Sequence, residues 1–312
     1  MQTGSTARPT AAPALLGASP EDERRNIQAL LLGASLELSS RDPAEIDACA
    51  DLLEPGTAVT ISMPPGQTYH GIVALATRLK RAGLRPVPHV AARRIASRDA
   101  LDEYLARAAG EAGVDSALVI AGDSARTGGQ FESSLRLLET GLFQRHGIAH
   151  VGVAGYPEGH PKIAETALAT ALAAKKVLAR RASLDLQVVT QFCFESAPVL
   201  AWAAKMKGHG LPVRVGLSGP ASLPRLLRFA MLCGIGNSVR TLKAQPRAIT
   251  RLVVEAGPEA VVRDIARPGG APIAGVHFFC FGGLVRTARW LRAVREGRFE
   301  LTPDGGFRVG AA

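Results

Sequence analysis

The alternation of apolar and amphipathic segments along the chain predicts a series of eight β/α repeats. Beginning near Leu30, short apolar runs typical of buried parallel strands are each followed by a stretch with helical periodicity. The eight predicted strands are ALLLGASLEL, TAVTISM, RPVPHVAA, DSALVIAGD, IAHVGVAGYP, LQVVTQFCF, LPVRVGLSG and GAPIAGVHFFCF. Eight such repeats predict an α/β fold, a (β/α)8 TIM barrel that occupies residues 26–312 as a single domain.

Two other stretches fall outside this repeating pattern. Residues 1–25 mix Pro, Ala, Ser, Thr and Gly without a strand or helix period, which predicts a flexible N-terminal tail. Residues 234–275 hold an additional helical region, at about 246–264, and the pattern leaves its role open. A doubly wound open sheet would carry a Gly-rich phosphate loop after its first strand, but here that strand ends SLELSS, which favours the barrel.

Composition and charge narrow the class of protein. With 47% hydrophobic and 21% charged residues the chain is a globular protein, and 37 basic against 27 acidic residues give a net charge of +10. Such a charge attracts phosphates, polyglutamates or nucleic acid alike. The four cysteines lie far apart without a C-x-x-C pair, which favours a reducing compartment. Without a long apolar run or a secretion leader, we expect a cytoplasmic protein with no membrane partner.

Polar residues at the predicted strand ends are the candidates for chemistry, because barrel active sites lie at the carboxyl ends of the strands. Glu37 stands between two leucines in the first strand. Burial there is expected to raise its pKa toward that of a general acid. The alternative is a carboxylate capped by an arginine or by backbone N–H groups. Asp123, at the end of the fourth strand, suits a helix cap as well as a ligand contact.

Two other kinds of function find less support in the sequence. His89 and His160 are possible metal ligands, but neither H-x-H nor H-E-x-x-H occurs, so no metal site is predicted. A basic nucleic-acid-binding protein is a distant alternative, based on four arginines that recur every three residues: Arg286, Arg289, Arg292 and Arg295. With 5% aromatic residues and no RNA-binding platform, this alternative is weaker than a solvated helix face.

Taken in order, the strand ends resemble those of methylenetetrahydrofolate reductase, a flavin-dependent barrel enzyme of one-carbon metabolism. The resemblance spans about residues 33–290 and is most specific in AGYPEGHP (154–161), in the following helix with Lys175-Lys176, and in VVTQFCF (188–194). Supporting pieces are SLEL, the VT of TAVTIS, the PHV that contains His89 and the Gly122-Asp123 pair.

The resemblance implies an oxidoreductase that interconverts 5,10-methylenetetrahydrofolate and 5-methyltetrahydrofolate in either direction, as in methionine biosynthesis. It implies FAD as hydride carrier, NADH or NADPH as electron donor, tetrahydrofolate derivatives as partners and assembly into a homo-oligomer. Glu37 would be the catalytic acid, Asp123 a second catalytic residue that contacts the pterin and tunes the flavin, and Gln191 a folate ligand. The implied cofactor contacts are Thr60, His89, Gly122, Asp123, Tyr156, His160, Lys175 and Lys176.

The chain also departs from the family pattern. Ala121 replaces an arginine, Ala169 and Leu172 replace an aspartate and an asparagine, and Lys175 replaces an arginine. Leu223 stands near the phenylalanine expected after the seventh strand, and Gly282-Gly283 replaces an Asn-Arg pair expected after the eighth. Because these changes remove hydrogen bonds to the cofactor, three possibilities stay open: a flavin enzyme, a flavin-independent NADH-dependent reductase, and a folate-binding barrel without redox activity.

Overall fold

Eight parallel strands close into a barrel in chain order, and the last strand pairs with the first. The computed structural model describes residues 19–38, 44–64, 66–122, 129–232, 257–268 and 272–310. The barrel strands are β1 Ser35–Leu38, β2 Ala58–Ile61, β3 Arg85–Ala91, β4 Ser116–Ile120, β5 His150–Gly155, β6 Asp185–Cys193, β7 Val213–Ser218 and β8 Ile273–Phe279. The predicted (β/α)8 architecture is confirmed.

Helices follow the strands and cover the outside of the barrel. They are α1 Pro20–Leu32, α2 Ala44–Cys49, α3 Tyr69–Arg81, α4 Arg98–Ala112, α5 Ser134–Leu138, α6 Leu142–Arg145, α7 Glu165–Arg181, α8 Ser196–Met206, α9 Leu223–Leu232, α10 Glu259–Ile265 and α11 Leu284–Arg295. Their apolar faces pack on outward strand residues such as Leu36, Val119 and Val276 in one continuous core. None of the helices in the described ranges combines the length and the apolar character that a membrane crossing requires.

Helix α1 precedes the barrel and corrects the predicted tail. Ser19 accepts a hydrogen bond from the Asp22 backbone, while the Asp22 carboxylate accepts one from the Ser19 N–H, which forms a capping box. The helix therefore begins at Pro20, and residues 20–25 are folded. The segment 29–32, which was expected at the start of the first strand, forms the last turn of α1, and Ile27 and Leu31 are buried.

One arginine links neighbouring elements at the amino-terminal end of the barrel. Arg214 of β7 donates from Nε to Gln187 Oε1 at 2.9 Å and from Nη1 to the Gly33 carbonyl at 2.5 Å. Because Gly33 precedes β1 and β8 lies between β7 and β1, this side chain ties β6 and β7 to the segment before β1. Burial lowers the pKa of the guanidinium, and the neighbouring Arg85 lowers it further. A ligand is thus expected at the opposite end of the barrel, as in other barrels of this type.

Strand β6 carries an irregularity next to its carboxyl end. Its register with β7 shifts between Val189 and Phe192. The Thr190 hydroxyl lies inside this shift and accepts a hydrogen bond from the Gly216 N–H at 2.8 Å. Such a bulge bends a strand and redirects its side chains, and Gln191 lies within this one.

A short hairpin follows α11, and the sequence analysis did not predict it. Strand β9 (Phe299–Leu301) pairs antiparallel with β10 (Phe307–Val309). Phe307 contacts both Phe299 and Trp290. Of the helical region expected near 246–264, residues 257–264 lie in the described ranges, and α10 confirms a helix there from Glu259.

Candidate active site

Glu37 lies inside the barrel at the centre of a polar cluster. Its Oε2 atom is 3.4 Å from Nε2 of His89 on β3 and 3.8 Å from Nε2 of His277 on β8. Because β2 separates β1 from β3, the contact with His89 is made across the barrel interior. Thr60, the register partner of Glu37 on β2, is buried beside it. The structure therefore brings Glu37, Thr60 and His89 together, and their roles as acid and cofactor contacts stay predictions.

The charge state of Glu37 differs from the expected one. Burial raises the pKa of this carboxyl, but the imidazoles of His277 and His89 more than offset that effect and lower the pKa to about 2. The prediction of a raised pKa was wrong, because it considered burial without the two histidines. Glu37 is an ionised carboxylate at neutral pH, and a proton that it delivers has to reach it from a neighbouring group.

His277 and Ser35 belong to this cluster, and the sequence analysis missed both. Ser35 Oγ lies 2.9 Å from His277 Nδ1, and His277 is 1% exposed. The signal was present in the period-two pattern of β8, in which Gly275, His277 and Phe279 alternate with the apolar residues that face the helices. A histidine on the inner side of a barrel strand, level with Ser35 of β1, was therefore detectable.

Gln191 stands at the carboxyl end of β6 with its amide fixed by the backbone. Its Oε1 atom accepts a hydrogen bond from the Phe192 N–H at 3.1 Å. The amide NH2 group remains as a pair of donors, and the side chain is partly exposed. This arrangement is suited to a ligand that offers acceptor atoms, and the contact with folate stays a prediction.

At the end of β4, Gly122 has an arginine from another part of the chain beside it. Asp123 lies outside the described residues. Gly122 has a φ of +87°, and a Cβ atom there would lie 3.3 Å from Ala91. The Arg93 N–H donates to the Ala121 carbonyl at 3.0 Å, and its guanidinium lies 3.4 Å from the Gly122 carbonyl. An arginine from the turn after β3 therefore lies beside the position where the resemblance expects one in sequence at residue 121.

The loop after β5 pairs Tyr156 with His160. Their rings meet edge to face with centroids 4.9 Å apart. His160 Nδ1 accepts a hydrogen bond from the Lys162 N–H at 3.1 Å, and Gly159 adopts a φ of +81° that the turn requires. Both side chains are partly exposed. The structure brings these two predicted cofactor contacts together, with one nitrogen of His160 already used by the loop.

Lys175 and Lys176 differ in their position on α7. Lys175 lies on the same face as Leu172, Leu178 and Ala182, which pack against the core, with spacings of three and four residues. Burial lowers the pKa of the Lys175 ammonium. No carboxylate in the described ranges forms an ion pair with it. Leu172 is engaged in packing, and Ala169, where the resemblance expects an acid, is exposed.

Aromatic rings collect at the carboxyl ends of β6 and β8. Phe229 stacks on Phe281 with ring centroids 4.2 Å apart, and Phe279 contacts both His277 and Phe281. We call this group the aromatic cluster; its members are Phe192, Phe194, Phe229, Phe279 and Phe281. Phe194, Phe229 and Phe279 keep part of their surface exposed. The aromatic cluster thus supplies aromatic surface near the site from positions other than Leu223, where the resemblance expects an aromatic residue.

Comparison with known proteins leaves the family open. No family model matches the sequence. Among solved structures, dihydropteroate synthase from Thermus thermophilus is 16% identical, with 85% of this chain and 92% of that chain covered and a TM-score of 0.42. A conserved protein of unknown function from Enterococcus faecalis is 9% identical, with coverages of 86% and 68% and a TM-score of 0.43. At these scores the likenesses decide nothing about activity, and the strand pairing itself establishes the barrel.

Two further observations concern the alternatives of a metal site and of nucleic-acid binding. Within the described ranges, no three His, Cys, Asp or Glu side chains form a group suited to a metal ion. In the arginine series of α11, Arg295 donates to the Leu31 and Leu32 carbonyls, and Arg292 binds Glu296 and the Asp51 carbonyl. Arg292 and Arg295 therefore hold contacts within the protein.

Proposed function

We propose that this protein is an oxidoreductase that interconverts 5,10-methylenetetrahydrofolate and 5-methyltetrahydrofolate by hydride transfer, with FAD as carrier and NADH or NADPH as donor, in the cytoplasm. The observation that carries the proposal is the Glu37 carboxylate, 7% exposed, inside the barrel between two imidazoles. A buried carboxylate is costly unless paired, and such pairs are typical of sites that handle protons. Glu37 is also the residue that the resemblance assigns as acid.

The protein's own residues suit a folate substrate in three ways. Gln191 offers an amide NH2 group to the acceptor atoms of a pterin ring. The aromatic cluster offers partly exposed faces for a planar ring. Glu37, with its neighbouring histidines, handles the proton that the ring nitrogen of methylenetetrahydrofolate takes up when its five-membered ring opens to an iminium ion. Ring opening exposes the one-carbon unit to hydride.

Two groups of residues would hold FAD. Lys175, half-buried without an ion pair in the described ranges, matches the charge of a pyrophosphate, and Lys176 adjoins it. Thr60 and His89 lie beside Glu37, and Tyr156 and His160 lie in the loop after β5; these four residues would contact the flavin. When bound, FAD would supply hydride chemistry. The aliphatic Ala169 and Leu172 leave the middle of the cofactor with fewer hydrogen bonds, so we expect moderate affinity.

The deciding test is an anaerobic visible spectrum of the purified protein with added FAD, recorded before and after addition of methyltetrahydrofolate. Loss of the flavin absorption band on folate addition supports the proposal. If the protein reduces methylenetetrahydrofolate with NADH and binds no flavin, the hydride passes directly from NADH and the FAD part of the proposal is wrong. Absence of both reactions, together with binding of tetrahydrofolate, would leave a folate-binding barrel and overturn the oxidoreductase.

Replacing Lys175 tests the assignment of the cofactor phosphate. We expect Lys175→Gln to weaken FAD binding about tenfold, because a half-buried charged hydrogen bond contributes roughly 1.5–3 kcal/mol and 1.4 kcal/mol corresponds to a factor of ten. Lys205→Gln is the matched control: it removes the same charge from an exposed site paired with Glu165 at 3.2 Å. Flavin fluorescence titration measures both dissociation constants. Equal effects in the two variants would show a general charge effect and no phosphate contact.

A further inference from the structure

A continuous series of polar side chains runs through the barrel from β8 to β3. Ser35 Oγ lies 2.9 Å from His277 Nδ1, His277 Nε2 lies 3.8 Å from Glu37 Oε2, and the same oxygen lies 3.4 Å from His89 Nε2. All four side chains are buried. Two imidazoles thus flank a single carboxylate oxygen, and a hydroxyl holds the far side of one of them.

The three atoms that face each other lack hydrogen bonds within the described residues. Glu37 Oε2, His89 Nε2 and His277 Nε2 are buried and have no hydrogen-bond partner in the described part of the protein. At 3.4 and 3.8 Å the imidazoles act on the carboxylate electrostatically, while the distances are long for hydrogen bonds. A small approach of either ring would complete a bond. The cluster is therefore arranged for a proton that moves between carboxylate and imidazole.

The hydroxyl of Ser35 lets His277 hold either charge state. In the neutral ring with a proton on Nε2, Ser35 donates to Nδ1; in the charged ring, Nδ1 donates to the Ser35 oxygen after the hydroxyl rotates. In both states Nε2 carries a proton toward Glu37. His89 has no side-chain hydrogen bond of this kind among the described contacts and is more exposed than His277. The two histidines therefore differ in role.

We propose that His277, held by Ser35, is a positioning residue that keeps Glu37 ionised between turnovers and passes it the proton that the acid step consumes. This inference rests on the proposed function and assigns two residues, His277 and Ser35, that the resemblance does not. When substrate binds, the charged His277 ring gives its Nε2 proton to Glu37: the Nε2–H bond breaks, the Glu37 Oε2–H bond forms, and the neutral ring keeps its Nδ1 proton toward Ser35. Glu37 then protonates the substrate nitrogen, and His277 regains a proton from water after product release.

Among the described residues, two histidines and a cysteine are the titratable groups next to Glu37. His277 faces it from β8 and His89 from β3, and the Cys280 thiol lies just after β8. Burial raises the pKa of Cys280 to about 12, so the thiol stays protonated at neutral pH. Strands β2 and β7 contribute Thr60 and Gly216 next to the cluster, and neither titrates. A shift in the protonation of Glu37 after a change at residue 277 or 35 is thus attributable to this relay.

The test measures Glu37 protonation directly by infrared titration of its carboxyl band, assigned by its loss in Glu37→Gln. We expect His277→Gln to raise the midpoint of Glu37 protonation by about 1–2 pH units, because the largest interaction that opposes the effect of burial on the Glu37 pKa is lost. Ser35→Ala is expected to raise it by a smaller amount and Ser35→Thr to restore it. The pH profile of folate turnover is expected to shift in the same direction in each variant.

His150→Gln is the matched control, since His150 pairs with Asp185 at 2.9 Å in an exposed position at the opposite end of the barrel. It is expected to leave the Glu37 midpoint unchanged. A midpoint that does not move in His277→Gln and Ser35→Ala overturns the relay. The titration needs no substrate, so it tests the coupling of His277 to Glu37 separately from the proposed function. If the midpoint moves but the protein has no folate activity, the coupling stands and the proposed function is refuted.

Discussion

Glu37→Gln is expected to reduce folate turnover by about 10²- to 10⁴-fold, the range in which a general acid contributes to catalysis. The amide has nearly the same shape as the carboxyl group but neither accepts nor delivers a proton. Flavin reduction by NADH is expected to stay at the wild-type rate, because that half-reaction does not use the proton at this oxygen. Stopped-flow absorbance with each substrate in turn separates the two half-reactions.

The matched control for this variant is Glu259→Gln. Glu259 is another largely buried carboxylate, with its Oε1 accepting a hydrogen bond from Trp290 Nε1 at 2.8 Å, but it lies on α10 outside the barrel. It is expected to retain both half-reactions. Full folate activity in Glu37→Gln would refute the acid role, and equal loss of both half-reactions would indicate damage to the cofactor site.

Gly216→Ala is expected to lower the free energy of unfolding by about 1–3 kcal/mol, as overpacking of a buried site does. A Cβ atom at this position would lie 2.3 Å from the Thr190 carbonyl and 2.8 Å from the Phe279 ring. The first of these neighbours is backbone, so β6 itself would have to move. Because Gln191 sits in the same irregular stretch, KM for folate is expected to rise as well.

Gly110→Ala provides the comparison for this change. Gly110 lies in α4 with no atom within 4 Å of an added Cβ. Alanine at a helical glycine stabilises by roughly 0.5–1 kcal/mol, so urea unfolding of the two variants should show shifts of opposite sign. If Gly216→Ala has the same urea midpoint of unfolding as the wild type, the prediction is wrong, because β6 and β7 then leave room for a methyl group at residue 216.

The sequence was sufficient for the order of the eight strands and for the recognition of Glu37 as a buried carboxylate. Buried parallel strands are apolar at nearly every position, so a carboxylate between Leu36 and Leu38 stood out without any structure. The same local logic failed for β9 and β10, whose three-residue runs are too short to show a period of two. The sequence pattern also missed the first turns of α1. The capping box of Ser19 and Asp22 starts this helix through local hydrogen bonds, which the composition of residues 1–25 does not reveal.

Which of two adjacent lysines turns inward was also beyond the sequence pattern. Lys175 and Lys176 follow each other on a helix that is rich in alanine on every side, so no apolar stripe marks the buried face. Packing of Leu172, Leu178 and Ala182 on the core settles it in favour of Lys175.

The sequence by itself determined the barrel and a buried acid in its first strand, since both follow from the residue types within short segments. Only the tertiary structure decided the charge of that acid. Ser35 and His277 are 242 residues apart, and His89 lies two strands away from Glu37. Closure of the barrel brings these groups within 4 Å of each other, and electrostatic interactions at such distances in a buried site reverse the pKa shift that burial alone would give.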